Sequence, residues 1–287
     1  MSEPNQSVKD YVNQRNKNPS CRTQNDRNAD AIEKGEKKSF PLDNIMENGD
    51  FDKIKEQVAN EICNFGLKNL RQWHYRTKGN FCEETYKKDF KNLKKFKLDG
   101  TRISSATTIG QKCMEYHTMH LIDKVKNSKG VSFEGQFTIK NIIIALEKNR
   151  TQHSSTYITE ILRTIPGVGG SNGFSVTKYK PTMTKAICDY YHATNVLDIC
   201  VGWGGRPIGA VASGAKYTGI EPATETYAAL NNICQNLGIE ESVKLHNEPA
   251  QVVLPTLKKE YDLAITSPPY FNLEIYNSEE TQSYKTD

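Results

Sequence analysis

Ser267-Pro268-Pro269-Tyr270 closes the short apolar run Tyr261-Asp-Leu-Ala-Ile-Thr266. Proline fixes its own φ, lacks a donor and forces the preceding residue toward extended geometry, so the Ser267 hydroxyl and the Pro268 carbonyl are held rigidly. Two acceptors are thereby aimed at one point. An exocyclic base amine is a poor nucleophile, because its lone pair is delocalised into the ring. Accepting hydrogen bonds from both of its N–H groups favours a pyramidal nitrogen with a localised lone pair, which can attack a sulfonium methyl in line. Tyr270 is placed to stack on such a base, and Phe271 to help hold it once it is flipped out of a helix. The plainer reading of the same residues is a Pro-Pro turn with a core tyrosine.

A second chemistry-bearing stretch, Asp198-Ile-Cys-Val-Gly-Trp-Gly-Gly-Arg206, closes the apolar run Asn195–Asp198. Gly202, Gly204 and Gly205 let the backbone pass close to a ligand, and Pro207 suits the first turn of the helix that follows. Glycines after a strand also serve tight turns, so the stretch alone is a weak signal. Gly219-Ile220-Glu221 strengthens it by placing a carboxylate at the end of the next strand, where it can accept hydrogen bonds from ribose hydroxyls. After the third strand, Asn247-Glu248-Pro249 is a candidate acceptor for an adenine amine.

The elements that position these residues follow from periodicity. Helices are expected around Thr182–Tyr191, Pro207–Ser213, Thr224–Leu237 and Ala250–Leu257. Strands are expected at Asn195–Asp198, Tyr217–Glu221, Val243–His246 and Tyr261–Thr266. Such alternation means βαβ units and a parallel sheet, in which ligand sites lie at the carboxyl ends of the strands. Pro166-Gly-Val-Gly-Gly-Ser-Asn-Gly173 is the strongest loop signal, read first as a linker and second as a phosphate-binding loop.

Upstream, Phe51, Ile54, Val58, Ile62 and Phe65 recur at helical spacing, with Asp50 as a candidate cap. Tyr86, Phe90, Leu93 and Phe96 suggest a second helix, and Ile109, Cys113, Tyr116 and His120 a third, each expected to carry a strongly cationic outer face. Val131–Phe133 and Gln136–Ile139 alternate briefly like strands, and Ile142–Leu146 reads as a helix. Residues 1–48 are polar and without periodicity, and are expected to be disordered. The organisation expected is therefore a polar N-terminus (1–48), a helical basic region (49–150), a Gly-rich linker (151–173) and an α/β domain (174–287).

Residues 1–150 carry 28 Lys and Arg against 20 Asp and Glu, a net +8, and residues 151–287 carry 10 against 14, a net −4. The basic half is a candidate for phosphate contact, with aromatics interleaved at Arg71–Arg76 and Lys87–Lys97; a solvated helix face is the alternative. The 7 cysteines include no C-x-x-C pair and no zinc-like grouping with histidine, so no metal site is expected. No stretch has membrane length and no signal peptide is evident, so an intracellular soluble protein of cytoplasm or nucleus is expected.

The glycine turn Asp198–Arg206, Glu221 and above all Thr266-Ser-Pro-Pro-Tyr270 resemble the S-adenosylmethionine-dependent amino-methyltransferases that act on N4 of cytosine or N6 of adenine in DNA. The resemblance covers roughly residues 174–276. It implies a Rossmann-like methyltransferase sheet, of which these strands would be the first four. It implies S-adenosylmethionine as cofactor, held by Asp198, Cys200, Gly202, Gly204, Gly205, Glu221 and Glu248. The lead-in Phe174–Pro181, with Lys178, resembles the segment that covers the methionine end of the cofactor. Ser267, Pro268, Pro269 and Tyr270 would be the catalytic motif, in the variant most associated with cytosine. The family needs neither a metal nor a covalent nucleophile.

Here the cofactor half precedes the catalytic half, whereas many Ser-Pro-Pro-Tyr enzymes have the reverse order. Only 17 residues follow Tyr270, where the family adds a helix and three further strands. A truncated product, or one half of a split enzyme completed by a second polypeptide, is therefore expected. The partner implied is DNA. Alternatives are an RNA base or a protein glutamine as acceptor, or an inert sheet in a nucleic-acid-binding subunit. An NAD-dependent oxidoreductase would share the glycine turn and Glu221 but leaves Ser-Pro-Pro-Tyr unexplained.

Overall fold

The computed structural model describes residues 51–67, 70, 83–97, 107–149, 161–162, 164–166, 176–271, 273–283 and 285. The polar stretch 1–48, Asp50, Arg71–Arg76, the glycines after Pro166, Phe174 and Ser175 lie outside the described residues. The chain divides into two compact units, one of residues up to Lys78 with Phe137–Pro166, the other of Gly79–Gln136 with Gly167–Asp287.

In the first unit, α1 (Phe51–Phe65) packs on α5 (Ile139–Lys148). Val58, Ala59 and Ile62 share a buried face, as do Ile142, Ala145 and Leu146 on α5. Lys55 Nζ reaches Glu147 Oε1 at 2.7 Å. The Thr138 side chain accepts from the Asn141 N–H at 3.3 Å and starts α5, the expected role of a threonine N-cap.

The second unit holds α2 (Glu83–Lys95), α3 (Lys112–Ile122), β1 (Lys126–Asn127), α4 (Phe133–Gln136), α6 (Pro181–Tyr191), β2 (Asn195–Asp198), α7 (Gly205–Ser213), β3 (Lys216–Ile220), α8 (Thr224–Leu237), β4 (Val243–His246), α9 (Ala250–Val253), β5 (Leu263–Ala264) and β6 (Glu274–Ile275). It is α/β, with a four-stranded parallel sheet in the order β4-β3-β2-β5. The order reverses between β2 and β5. In open α/β sheets such a reversal marks where ligands bind, at the carboxyl ends of those two strands. The core joins Val196, Ile208, Tyr217, Leu230 and Ile233 to Phe90 and Leu93 of α2 and Cys113 and Met114 of α3.

Several elements differ from the sequence reading for local reasons. The alternation around Gly135 is not a strand pair. Ser132 Oγ accepts from the Gly135 N–H at 3.0 Å and opens the single turn α4, while Thr138 opens α5. The helix expected over 250–257 runs only to Val253 and tightens to a 3-10 turn over Leu254–Thr256, where Pro255 cannot donate. The fourth sheet strand is regular only at Leu263–Ala264, although the Asp262 and Ile265 N–H groups still bond to the Asn195 and Leu197 carbonyls.

The cationic face expected on the second and third upstream helices is confined to α2. Helix α1 mixes Asp52, Glu56 and Glu61 with its lysines, and α3 has one lysine beside Glu115. No described helix is long and apolar enough to cross a membrane. Among the described residues no group of His, Cys, Asp or Glu is placed to hold a metal ion.

Candidate functional site at the ends of β2 and β5

Strands β2 and β5 are parallel neighbours, with Val196 opposite Leu263 and Leu197 opposite Ala264. The glycine turn and the Ser-Pro-Pro-Tyr segment therefore leave the sheet side by side. Thr266, just before Ser267, lies near enough to the Cys200 thiol of the first turn to offset part of the effect of burial on it.

The turn is held from within by Asp198, which is fully buried at the end of β2. Its Oδ2 accepts from Arg206 Nε at 2.6 Å and from the Tyr217 hydroxyl, and its Oδ1 from the Cys200 N–H at 3.0 Å. Arg206 also donates to the Cys200 carbonyl, and its guanidinium lies 5.1 Å from the Tyr179 ring centroid. An unpaired buried carboxylate is too costly to keep, so Asp198 and Arg206 fix each other and the loop between them. In this arrangement Asp198 acts on the turn rather than facing out of it. Burial pushes the Cys200 thiol up, which keeps it protonated and unreactive.

The three turn glycines have three different reasons. At Gly205 a Cβ would lie 2.0 Å from the Tyr179 carbonyl oxygen, so the chain entering α6 crosses directly over the start of α7. Gly204 has φ +93 and faces Ile233 and Leu230. Gly202 has φ +61, and a Cβ there would meet only the Arg206 guanidinium at 4.0 Å, so its backbone borders open space.

Glu221 follows β3 and is only 8% exposed. One oxygen accepts from the Gly202 N–H at 2.9 Å and the other from the Ala223 N–H at 3.1 Å. Burial pushes its carboxyl up to about 7, although these two donors pull the other way. Each oxygen keeps acceptor capacity for a further donor. Asn247 Nδ2 donates to the Glu221 and Pro222 carbonyls at 2.9 and 3.1 Å and so braces the end of β3, while its neighbour Glu248 is exposed.

Lys178 pairs with Glu115 of α3 and also approaches Met119 Sδ at 3.6 Å. Ser267 is half-buried, Pro268 and Pro269 are exposed, and Tyr270 and Phe271 are 52% and 75% exposed. Phe271 has φ +49, a left-handed conformation uncommon outside glycine. The fold thus gathers Asp198, Cys200, Gly202, Gly204, Gly205 and Glu221 around one turn, sets the Ser-Pro-Pro-Tyr segment beside it, and engages Lys178 with α3.

Three contributors go beyond the sequence reading. Arg206 had a signal, since a carboxylate at a buried strand end requires a counter-charge nearby. Tyr179 lay within the lead-in Phe174–Pro181 without a role of its own, and the contacts of the segment after Phe271 had no signal. That segment pairs as β6 with β1, stacks Tyr276 edge-on against Trp203 at 5.9 Å, and places the Glu279 carboxylate on the Thr224 N–H at 3.1 Å. It therefore covers part of the glycine turn and the start of α8.

The chain has no significant match among family models, curated proteins or solved structures.

Proposed function

We propose that the chain binds S-adenosylmethionine and serves methyl transfer to the exocyclic amine of a DNA base, N4 of cytosine or N6 of adenine, on a Rossmann-like methyltransferase sheet. The observation that carries this reading is the pairing of β2 with β5, which brings the glycine turn and Ser267-Pro268-Pro269-Tyr270 to one end of the sheet. A shared glycine turn alone would suit many nucleotide ligands; the rigid double acceptor beside it suits an amine.

The residues present fit such a cofactor. The open backbone at Gly202 admits close approach, and the spare acceptor capacity of Glu221 suits ribose hydroxyls. Gly204 and Gly205 set the turn, Asp198 and Cys200 hold it, and Glu248 and Lys178 belong to the outer contacts. S-adenosylmethionine supplies, when bound, an electrophilic methyl on a cationic sulfur. The Ser267 hydroxyl and the Pro268 carbonyl accept hydrogen bonds from the amine and localise its lone pair, with Pro269 stiffening the segment. Tyr270 stacks on the flipped base. Because β5 is an edge strand of the sheet, a second polypeptide adding strands there is the partner this reading calls for.

A second reading is a nucleic-acid-binding subunit whose sheet is inert. It is favoured by the internal occupation of both Glu221 oxygens and by the Tyr276 contact on Trp203.

The test is transfer of labelled methyl from S-adenosylmethionine to duplex DNA, followed by nucleoside analysis for N4-methylcytosine and N6-methyladenine, with RNA and a glutamine peptide as other acceptors. Transfer that Ser267→Ala and Tyr270→Ala abolish supports the proposal. Absence of cofactor binding, with DNA binding retained, supports the second reading.

A further inference from the structure

Helix α2 concentrates positive charge on one face. At 100° per residue, Lys87, Lys88, Lys91, Lys94 and Lys95 fall within an arc of about 120°, turned away from the buried Leu93. All five are exposed, and Lys97 follows just beyond the helix. The helix has three acids: Glu83 and Glu84 stand in its first turn, Glu84 at the angle of the lysines but N-terminal to them, and Asp89 faces the other way, where its Oδ2 accepts from the Lys112 N–H at 3.1 Å and lies 3.8 Å from Cys113 Sγ. Lys94 lies over the Phe90 ring at 4.7 Å, which steadies its stem on the helix surface.

A solvated helix face ordinarily intersperses opposite charges, as α1 does, where Lys55 bridges Asp52 and Glu147. Beyond the first turn of α2, by contrast, Lys91 and Lys95 are a like-charge pair one turn apart, an arrangement that weakens a helix and that a bound polyanion relieves. A membrane surface is a poor match, because interfacial helices bury an apolar face in lipid and here Phe90 and Leu93 are already 5% and 0% exposed within the core. A polyanion with regularly spaced charges fits better. Lys88 and Lys95 lie roughly 10 Å apart along the axis, a span equal to about three 3.4 Å steps of one strand along a duplex axis.

We infer that the lysine face of α2 docks the phosphodiester backbone of duplex nucleic acid. Such contacts position a duplex without reading its sequence. Docking of this kind is separate from methyl transfer and does not require that the chain bind a cofactor.

The experiment uses the full chain and fluorescence anisotropy with labelled 20-base-pair duplexes of two unrelated sequences, as DNA and as RNA, over a series of salt concentrations. Lys88, Lys91, Lys94 and Lys95 are replaced together by Gln. A control replaces Lys216, Lys244, Lys258 and Lys259, which are also exposed, with the same change in net charge. The expected result is equal affinity for the two sequences and a log–log salt slope that falls by about 0.9 for each phosphate that the α2 variant no longer neutralises, with the control unchanged. DNA against RNA then tells which backbone geometry is preferred. Equal slopes for the α2 variant and the original chain, or equal losses in variant and control, would overturn the inference. So would binding to anionic vesicles but not to either duplex. Circular dichroism and cofactor titration of the α2 variant separate a failure here from a failure of the methyl-transfer reading.

Discussion

Arg206 Nε lies 2.6 Å from Asp198 Oδ2, and the two side chains are 4% and 0% exposed. The pair spans the turn that borders the candidate cofactor site, so the shape of that turn depends on a buried charge contact rather than on glycine content alone. Removing one partner strands the other. Arg206→Met is expected to destabilise the sheet unit by about 3–5 kcal/mol, and Asp198→Leu with Arg206→Met together by much less than the sum of the single changes. Urea unfolding of the four proteins measures this; additive losses would show that the two charges do not depend on each other.

The Glu221 carboxyl, raised by burial from 4.5 to about 7, makes a signed prediction for pH. Between those values the folded chain binds more protons than the unfolded one, so this group's contribution is present at low pH and lost as pH rises through about 7. The loss amounts to roughly 3 kcal/mol. His117 acts in the opposite direction at lower pH, because burial depresses its imidazole to about 4 and protonation on acidification destabilises the fold. Comparing Glu221→Gln with the original chain from pH 5 to 8 isolates the carboxylate. The variant should lack the fall in stability toward pH 8, and identical slopes in both proteins would count against a buried Glu221.

Two neighbouring glycines should respond differently to alanine. Gly205→Ala drives a methyl into the Tyr179 carbonyl, only 2.0 Å from the added carbon, and is expected to abolish the native packing of α6 on α7. Gly202→Ala meets open space and should cost about 1–2 kcal/mol for its positive φ. Thermal unfolding distinguishes them, and equal small effects would mean that the Tyr179 chain does not cross Gly205.

Asp262 takes the Thr194 N–H at 2.8 Å and the Asn195 N–H at 2.9 Å, and so ties the start of β5 to β2. The Thr194 hydroxyl above all, with these two donors, holds its carboxyl below the usual range, so the tie is present at neutral pH and lost on acidification. Asp262→Ala should speed amide exchange at Ile265, whose N–H bonds to the Leu197 carbonyl, and leave Tyr217 on the far side of β2 protected. Unchanged exchange at Ile265 would show that β5 is held without Asp262.

Much of this fold can be read from local pattern. β2 is a short apolar run, β4 alternates Val243 and Leu245 with Lys244 and His246, and α1 and α8 keep helical spacing, so their limits agree with the sequence reading. The Ser-Pro-Pro-Tyr segment and the glycine turn announce themselves because proline and glycine restrict the backbone directly. What was hidden depended on partners distant in sequence. The two-residue strands β1 and β6 carry no pattern of their own and pair with each other, β1 also bridging back to Ser132. An amphipathic stripe on α2 or α3 does not name the surface it will cover, so their place in the core of the sheet unit emerges only in three dimensions. Likewise Glu221 was legible as a strand-end acid, but its backbone donors, Gly202 and Ala223, were set by the turn geometry around it.

The most direct test of the central claim is calorimetric titration of the full chain with S-adenosylmethionine, repeated on Glu221→Ala and on Glu248→Ala. The account predicts one binding site, weakened at least tenfold by Glu221→Ala and much less by the exposed Glu248→Ala. No binding heat with the original chain, or equal affinity in all three proteins, would contradict a cofactor site at the ends of β2 and β3 and would leave nucleic-acid binding as the activity of this chain.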